Sequence, residues 1–469
     1  MKTQLLGTEI TAGFKWKKPV AFCGVALLLI SGFFFGHGCR QEVRNDGLGL
    51  KINLEYKKLS NGLQVILIED HTLPIVSYQT WFKVGSVDEK PGSTGLAHLF
   101  EHLMFKGTPK FGPKQIFHQL EAKGAEVNAF TTRDYTVYYE NFISSLLPKV
   151  IEIESDRMNN LTLTQEILNS ERQVVFEERH LRTENTPGGK TQEALWQMAF
   201  SRHPYRNPVI GYPEDLASLT LEKMTAFYKD YYRPNNAAVI VAGDIKSKEV
   251  FDMIQKAYGH LPSGKIPKRD FEKEPEQEGE RRLVMYEPTP SERFTYAYHV
   301  PSAHDDDAYA LDVLSNILFE GTSSRAYRRL TEERDIAWGV GGSNFTPTYP
   351  GLFIIGGTMR GNLSTSLAEA EMDRLISDVQ TTPVKEKEIQ AAVRQLTVQL
   401  VDSVRTQHGL AQLIGTVTMI LEDPKKYSDD IKKYTRVTAA DVKRVAEKYL
   451  LPNNRTVITV MPEKKKAAK

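Results

Sequence analysis

The sequence predicts an α+β fold of two sequential, homologous modules, each a mainly antiparallel sheet packed with helices. Three observations predict it: a repeated helix–Pro–strand segment, strand-like and helix-like runs that are grouped rather than alternating, and a composition suited to a large core. The 469 residues are 41% hydrophobic and 25% charged, which excludes a disordered, collagen-like or polytopic membrane chain. Lys and Arg number 60 against 59 acidic residues, a net charge of +1. A nucleic-acid partner is excluded on that balance, because phosphate neutralisation needs a basic excess.

The repeat is legible directly. Leu219-Thr220 … Tyr231-Tyr232-Arg233-Pro234-Asn235-Asn236-Ala237-Ala238-Val239-Ile240-Val241 returns as Val437-Thr438 … Tyr449-Leu450-Leu451-Pro452-Asn453-Asn454-Arg455-Thr456-Val457-Ile458-Thr459, with Pro234 and Pro452 standing 218 residues apart. Each copy reads as an amphipathic helix stopped by proline and followed by a β-branched strand. The expected boundaries are an N-terminal module over 50–262, a charged linker over 263–282 and a C-terminal module over 283–469. The linker region from Pro262 to Arg282 reads PSGKIPKRDFEKEPEQEGERR, too polar for a core on its face value. Within the first module, 62–69 and 75–84 read as strands around the turn-prone Asp70-His71-Thr72. Residues 111–123 and 143–158 carry helical periodicity, and 127–142 is β-branched and aromatic.

Ahead of the modules, the basic patch Lys15-Trp16-Lys17-Lys18 precedes an uncharged run from Pro19 to Phe35, then Gly36, Gly38 and Cys39. This predicts an export signal over 1–39 and a chain that is exported, to a bacterial periplasm or a membrane anchor facing it. Cys39 stands where a lipoprotein signal places its lipidated cysteine, although Gly36-His37-Gly38 lacks the expected leucine. An uncleaved signal anchor is the alternative, and either way the membrane is met only through this segment. Cleavage would remove Cys23, so structural disulfides are excluded. The lysine-rich tail Lys464-Lys465-Lys466 reads as a solvated end.

The chemistry-bearing string is His98-Leu99-Phe100-Glu101-His102. On a helix, residues i and i+4 differ by about 40° of rotation, so the two imidazoles face one way. Together they can clamp Zn²⁺ and leave positions for a third ligand and a water. Glu101 lies on the same side as a candidate base, and Leu99, Phe100, Leu103 and Met104 supply the anchoring apolar face. The rival reading is a histidine pair on a helix face, and a third ligand decides between them. The best candidate is Glu178 in Glu171-Arg172-Gln173-Val174-Val175-Phe176-Glu177-Glu178, on a helix anchored by Val174-Val175. Glu171 lies two turns before Glu178 on the same face and would orient a ligand or the water, with Glu177 turned to solvent. Taken alone, this acidic cluster reads first as a solvated helix face.

The second module supplies an internal control. Gly95 to Gly107 aligns with Tyr309 to Gly321; the apolar anchors recur, but His98, Glu101 and His102 are matched by Asp312, Ser315 and Asn316. Residues needed for folding belong in both copies. These three occur once, which favours function over packing.

The string HLFEH, with ERQVVFEE ending 76 residues after His102, resembles the M16 metallopeptidases, which include the mitochondrial processing peptidases, pitrilysin and insulysin. The resemblance covers residues 55–462 and is closest to the short, two-module bacterial form. It implies the LuxS/processing-peptidase-like metallohydrolase fold, one Zn²⁺ per chain on His98, His102 and Glu178, Glu101 as general base, and Glu171 as an auxiliary acid. It further implies that Gly124 to Thr131, through Asn128, Ala129 and Phe130, is an edge strand that pairs with peptide substrate, a mode that reads backbone rather than side chains. His203-Pro204-Tyr205 … Gly211 resembles the family's pattern around the cleft.

One departure stands out. The family carries an Arg and a Tyr seven residues apart in its second module that bind the substrate carbonyl, and the matching positions here hold Thr331 and Trp338. Neither offers the missing group. The expectation is therefore a zinc endopeptidase acting as the catalytic subunit of a pair, with a homologous metal-free subunit supplying the Arg/Tyr pair. Substitution by Arg325, Arg328, Arg329 or Arg334 is one alternative; a non-catalytic peptide-binding or assembly subunit is the other.

Overall fold

The computed structural model describes residues 52–113 and 115–463. The predicted export signal with Cys23 and Cys39, and the tail from Lys464, lie outside the described residues. The first sheet comprises β1 (Leu54–Lys58), β2 (Gln64–Glu69), β3 (Ile75–Phe82), β4 (Glu126–Thr131), β5 (Thr136–Ile143) and β6 (Ala237–Gly243). Its helices are α1 (Leu96–Leu103), α2 (Gln115–Glu121), α3 (Leu147–Asn160), α4 (Gln165–Arg179), α5 (Pro187–Ala199), α6 (Pro213–Ser218), α7 (Leu221–Tyr231) and α8 (Ser247–Tyr258). The second sheet comprises β7 (Arg281–Glu287), β8 (Arg293–Val300), β9 (Ala337–Phe345), β10 (Gly351–Met359) and β11 (Arg455–Pro462). With it go α9 (Asp307–Phe319), the one-turn α10 (Arg325–Tyr327), α11 (Thr365–Thr381), α12 (Glu386–Ser403), α13 (Gln407–Leu421), α14 (Asp429–Tyr434) and α15 (Ala439–Tyr449).

The strand orders repeat. The first sheet runs β1-β2-β6-β3-β5-β4 and the second β7-β11-β8-β10-β9. In each, one pair is parallel (β2 with β6, β7 with β11) and the rest are antiparallel. The α+β, two-module architecture is as the sequence predicts. Strand β1 has no partner in the repeat, and β4 and β9 are the matching edges.

What the sequence does not display is how the modules are joined. One face of the first sheet packs on its own helices, including α1, α3 and α7. The other is covered by α13 from the second module, whose Ile414, Val417 and Met419 lie on Ile66, Trp81 and Ile240. Gly415 lies so close to that sheet that a Cβ would come within 2.1 Å of the Trp81 ring. The exchange is reciprocal: Leu195, Trp196 and Ala199 of α5 cover Ala297, Leu352 and Ile458 on the second sheet. Each sheet thus depends on the other module for one of its apolar covers, so separating them would expose both faces to water.

The linker needs correction. The sheet already resumes at Arg281, and the irregular stretch before it is a strap packed along both modules rather than a solvated tether. Arg269 makes two hydrogen bonds to the Asp88 carboxylate, at 2.9 and 2.8 Å, and one to the Asp134 carbonyl. The Phe271 ring sits against His203 and Tyr349. Glu274 accepts the backbone N–H groups of Ser201, Arg202 and His203, and Gln277 reaches the Arg455 carbonyl. Several of the charges that made this segment read as solvated, Arg269 and Glu274 among them, are paired against partners distant in sequence, which composition cannot reveal.

Candidate metal centre

The helix bearing the HxxEH string is positioned by backbone approach and by a carboxylate. Its N-cap, Gly95, has φ +88°, and a Cβ there would strike the Ile210 carbonyl at 2.8 Å and Leu216 at 2.7 Å. Glycine is therefore required. Having no side chain to cap with, the helix borrows Glu89, which accepts the N–H of Gly95 at 2.9 Å and of Ala97 at 2.8 Å. Burial pushes the Glu89 carboxyl well up, and those two donors oppose the rise. The apolar face is the one expected: Leu99, Phe100, Leu103 and Met104 are all buried.

The second helix, α4, is capped by Thr164, whose side chain accepts the Ile167 N–H. Its anchor differs from the expected Val174-Val175 pair: Val175 is buried together with Leu168, whereas Val174 is 45% exposed. Arg179 secures its end, donating to the Gly211 carbonyl and to both Glu193 oxygens on α5. Helix α4 then widens into a π-helical turn, His180–Glu184.

These two helices bring His98, His102 and Glu178 together, with one ligand atom from each lying within 4.8 Å of the others. His98 Nε2 is 3.6 Å and His102 Nε2 3.3 Å from Glu178 Oε2. Ligand atoms about 2.0–2.1 Å from a tetrahedral zinc stand about 3.4 Å apart. The donor set, two imidazole nitrogens and a carboxylate oxygen, therefore fits Zn²⁺ in chemistry, and both histidine–carboxylate separations fit its spacing. His98 Nδ1 is buried with no hydrogen-bond partner.

The electrostatics divide the two histidines. Burial holds His98 down at about 4, aided by the neighbouring His102. Burial also acts to lower His102, but its contacts with Glu171 and Glu178 outweigh it and raise it to about 9. Burial opposes ionisation of Glu178 and Glu171, yet both are lowered, Glu178 by His102, His98 and Arg182, and Glu171 by His102 and Lys106. This cage is already polarised toward ionised carboxylates that face imidazoles.

Glu101 lies beside the cluster. Its Oε2 accepts the Thr131 hydroxyl at 2.7 Å, leaving Oε1 outside that bond. Burial raises its carboxyl above the usual range, and the Thr131 bond partly opposes this. Glu171 sits 3.8 Å from His102 Nδ1 and 2.6 Å from Lys106 Nζ, and Glu177 is exposed. Three contributors were not singled out by sequence: Thr131 on the base, Lys106 on Glu171, and Arg182, whose Nη1 is 2.6 Å from Glu178 Oε1. Arg182 follows Glu178 by four residues, a helical spacing that was available as a signal.

Asn128, Ala129 and Phe130 lie on β4, which pairs with β5 on one side and is the sheet's edge. Asn128 Oδ1 accepts the Ala129 N–H at 2.9 Å, while Phe130 packs edge-on against Trp81. His203, Tyr205 and Gly211 act as buttresses. Tyr205 donates to Asp134, and Gly211 touches the backbone at Thr94 and Gly95.

In the second module, Trp338 is 62% exposed with the Arg360 guanidinium 4.3 Å over its ring. The Thr331 hydroxyl is buried without a partner. Arg325 is held by Glu388, Arg329 and Arg334 by Glu371, and Arg328 lies 3.7 Å from Glu333. The arginine beside Trp338 is thus Arg360, outside the expected four.

Comparison with known proteins identifies the family. The family model described as Insulinase (Peptidase family M16) matches residues 64–212, and the one described as Peptidase M16 inactive domain matches 218–396. The chain is 28% identical over 408 residues to Zinc protease PqqE of Helicobacter pylori, covering 86% of this chain and 92% of that one. It is 25% identical over 390 residues to the uncharacterized zinc protease YmxG of Bacillus subtilis, covering 82% and 93%. A solved protease from Helicobacter pylori superposes with TM-score 0.84 at 28% identity, covering 88% of this chain and all of that one. The periplasmic protease PqqL of Escherichia coli superposes with TM-score 0.73 at 19% identity; 88% of this chain matches 48% of PqqL, a likeness of fold.

Proposed function

Since this chain belongs to peptidase family M16, we propose that it is a zinc-dependent endopeptidase, hydrolysing peptides or unfolded polypeptide segments and serving as the catalytic subunit of a pair. The observation that carries the reading is the meeting of His98, His102 and Glu178 beside Glu101, with both histidines at metal-ligand separation from the Glu178 carboxylate. Zn²⁺ held there supplies Lewis acidity, acidifying a water and polarising a carbonyl. Glu101 takes the proton of the attacking water at Oε1 and returns it to the leaving amine, while Thr131 holds Oε2 and so fixes the direction of the free oxygen. The substrate strand adds to β4 near Asn128 and Ala129, and the Asn128 side chain yields the Ala129 N–H to it. Because Thr131 ends the same strand, substrate docking and the base share one element.

Thr331 and Trp338 leave this chain without the Arg/Tyr pair, and a homologous metal-free subunit supplies it. The same absence is the one observation favouring the second reading, a peptide-binding or assembly subunit that does not cut. The basic-then-apolar N-terminus supports export to the periplasmic side, with Cys39 as the candidate lipidation point. Zinc analysis of the purified chain, with a peptide-cleavage assay alone and with its copurifying partner, tests the proposal. Zinc at one per chain with chelator-sensitive cleavage is expected. Zinc-free, inactive protein under both conditions overturns it, and full activity of the single chain removes the partner.

A further inference from the structure

Helix α5 covers only part of the sheet on which it lies. Leu195, Trp196 and Ala199 seal the apolar part. Beyond its first turn, at Gly188 and Thr191, the same face opens into a groove of about 560 Å³. The floor includes Gly339 and Gly356, yet packing does not demand glycine at either place. A Cβ on Gly339 would meet nothing within 4 Å, and one on Gly356 would make only ordinary contacts at 3.6 and 3.8 Å. The matching place in the first module is filled. There His408, in the first turn of α13, lies 4.5 Å from the Tyr139 ring and within hydrogen-bond reach of Gln79 and Asn141. The residue 218 positions earlier, Lys190, instead turns to Glu287 at 2.8 Å, and the space above the sheet stays open.

The chemistry of this groove has one sign. Its lining holds Arg293, three threonine hydroxyls and the Gln192 amide, and no carboxylate. Arg293 Nε is buried with no hydrogen-bond partner. The first turn of α5 presents the positive end of its dipole on the same side. One wall is Trp338, an exposed indole on the edge strand β9. A desolvated arginine nitrogen among neutral donors is stabilised by an anion, and a carboxylate offers the matching acceptor geometry.

We propose that this groove binds a carboxylate side chain of the polypeptide substrate, giving the protein a preference for segments that carry an acidic residue. The inference rests on the reading of the chain as polypeptide-binding, and the open groove beside an edge strand suits an extended chain. A free anion such as phosphate would satisfy the same donors, so the test separates the two sources.

Binding is read without turnover, using zinc-loaded Glu101→Gln protein and two labelled peptides that differ only in Glu against Gln. Fluorescence anisotropy is expected to show the acidic peptide bound about tenfold more tightly, as one charge-assisted contact implies. Arg293→Gln should bring the two affinities together. Gly356→Val, which keeps Arg293 but fills the floor with a strand-compatible side chain, should do the same, with melting temperatures showing that both variants are folded. Equal affinities in the parent protein, or a preference that survives Arg293→Gln, overturns the proposal. So does inorganic phosphate that perturbs Trp338 fluorescence in an Arg293-dependent way without competition from the acidic peptide. A protein that binds as expected yet never cleaves would sink the peptidase reading alone.

Discussion

The two modules share strand order, edge and helix placement, and they differ most where α1 and α9 occupy equivalent positions. In α9, Asp312 and Ser315, two of the equivalent polar residues, are satisfied from within. Asp312 accepts from Asn344 at 2.8 Å and from the Tyr434 hydroxyl at 2.7 Å, and Ser315 donates to the Gly342 carbonyl. In α1, His98 and His102 stand 3.6 and 3.3 Å from a carboxylate oxygen, and His98 Nδ1 has no partner. One copy pairs Asp312 and Ser315 within its own module; the other holds its imidazoles at the separation a metal would fill. Polar groups buried for packing alone are normally satisfied, and the proposed metal site gives the contrast between Asp312 and His98 its physical reason.

Removing metal ligands breaks this comparison most severely. His98→Ala, His102→Ala and Glu178→Ala should each abolish both zinc retention and peptidase activity. Asp312→Ala and Ser315→Ala in the second module should leave zinc content unchanged and cost only stability, about 1–3 kcal/mol for the partners left unsatisfied. Elemental analysis with denaturant titration reads both. Equal zinc loss from either module would erase the distinction.

Glu101→Gln sharpens it, since this residue has Ser315 as its silent counterpart. Turnover should fall about 10²- to 10⁴-fold with zinc retained. Thr131→Val, which frees the second oxygen of the base, should cost less, about tenfold for one hydrogen bond. Steady-state kinetics at matched zinc content decides, and a Gln variant with most of its activity removes Glu101 from the base role.

The exchanged helices blur the comparison, and Trp196→Ala measures by how much. Trp196 stacks on Phe200, meets Phe345 of β9 edge-on and lies under the Arg133 guanidinium at 3.6 Å. Truncation should cost about 3–5 kcal/mol. Because each module covers the other's sheet, calorimetry should show one cooperative transition moving down rather than the second module melting first.

Much of the site was legible because helical periodicity is local: His98, Glu101 and His102 needed only their spacing, and Glu178 and Glu171 only theirs. The apolar anchors of α1 followed from the same count. What escaped was whatever depends on distant chain segments. Thr131 reaches Glu101 across 30 residues, and α5 and α13 read as ordinary amphipathic helices whose destination no periodicity encodes. The strap from Pro262 looked solvated because Arg269 and Asp88, 181 residues apart, cannot be seen as a pair in composition.

That seam carries an expected effect of pH. His203 is buried among Phe200, Tyr205, Phe271 and Tyr349; its Nδ1 accepts the Tyr205 N–H, and its Nε2 has no partner. Burial lowers it from 6.5 to about 4, against the pull of Asp134 and Glu274. The folded state therefore holds the neutral ring, so the stabilisation is complete above pH 6.5 and is lost as pH falls toward about 4. At pH 5 this amounts to about 2 kcal/mol. Other carboxylates titrate in the same window, so the readout is the difference between the parent and His203→Gln in urea midpoints at pH 7 and pH 5. The parent should lose more on acidification. Parallel losses would mean that the seam tolerates a charged imidazole, and that the two modules are held by their exchanged apolar helices alone.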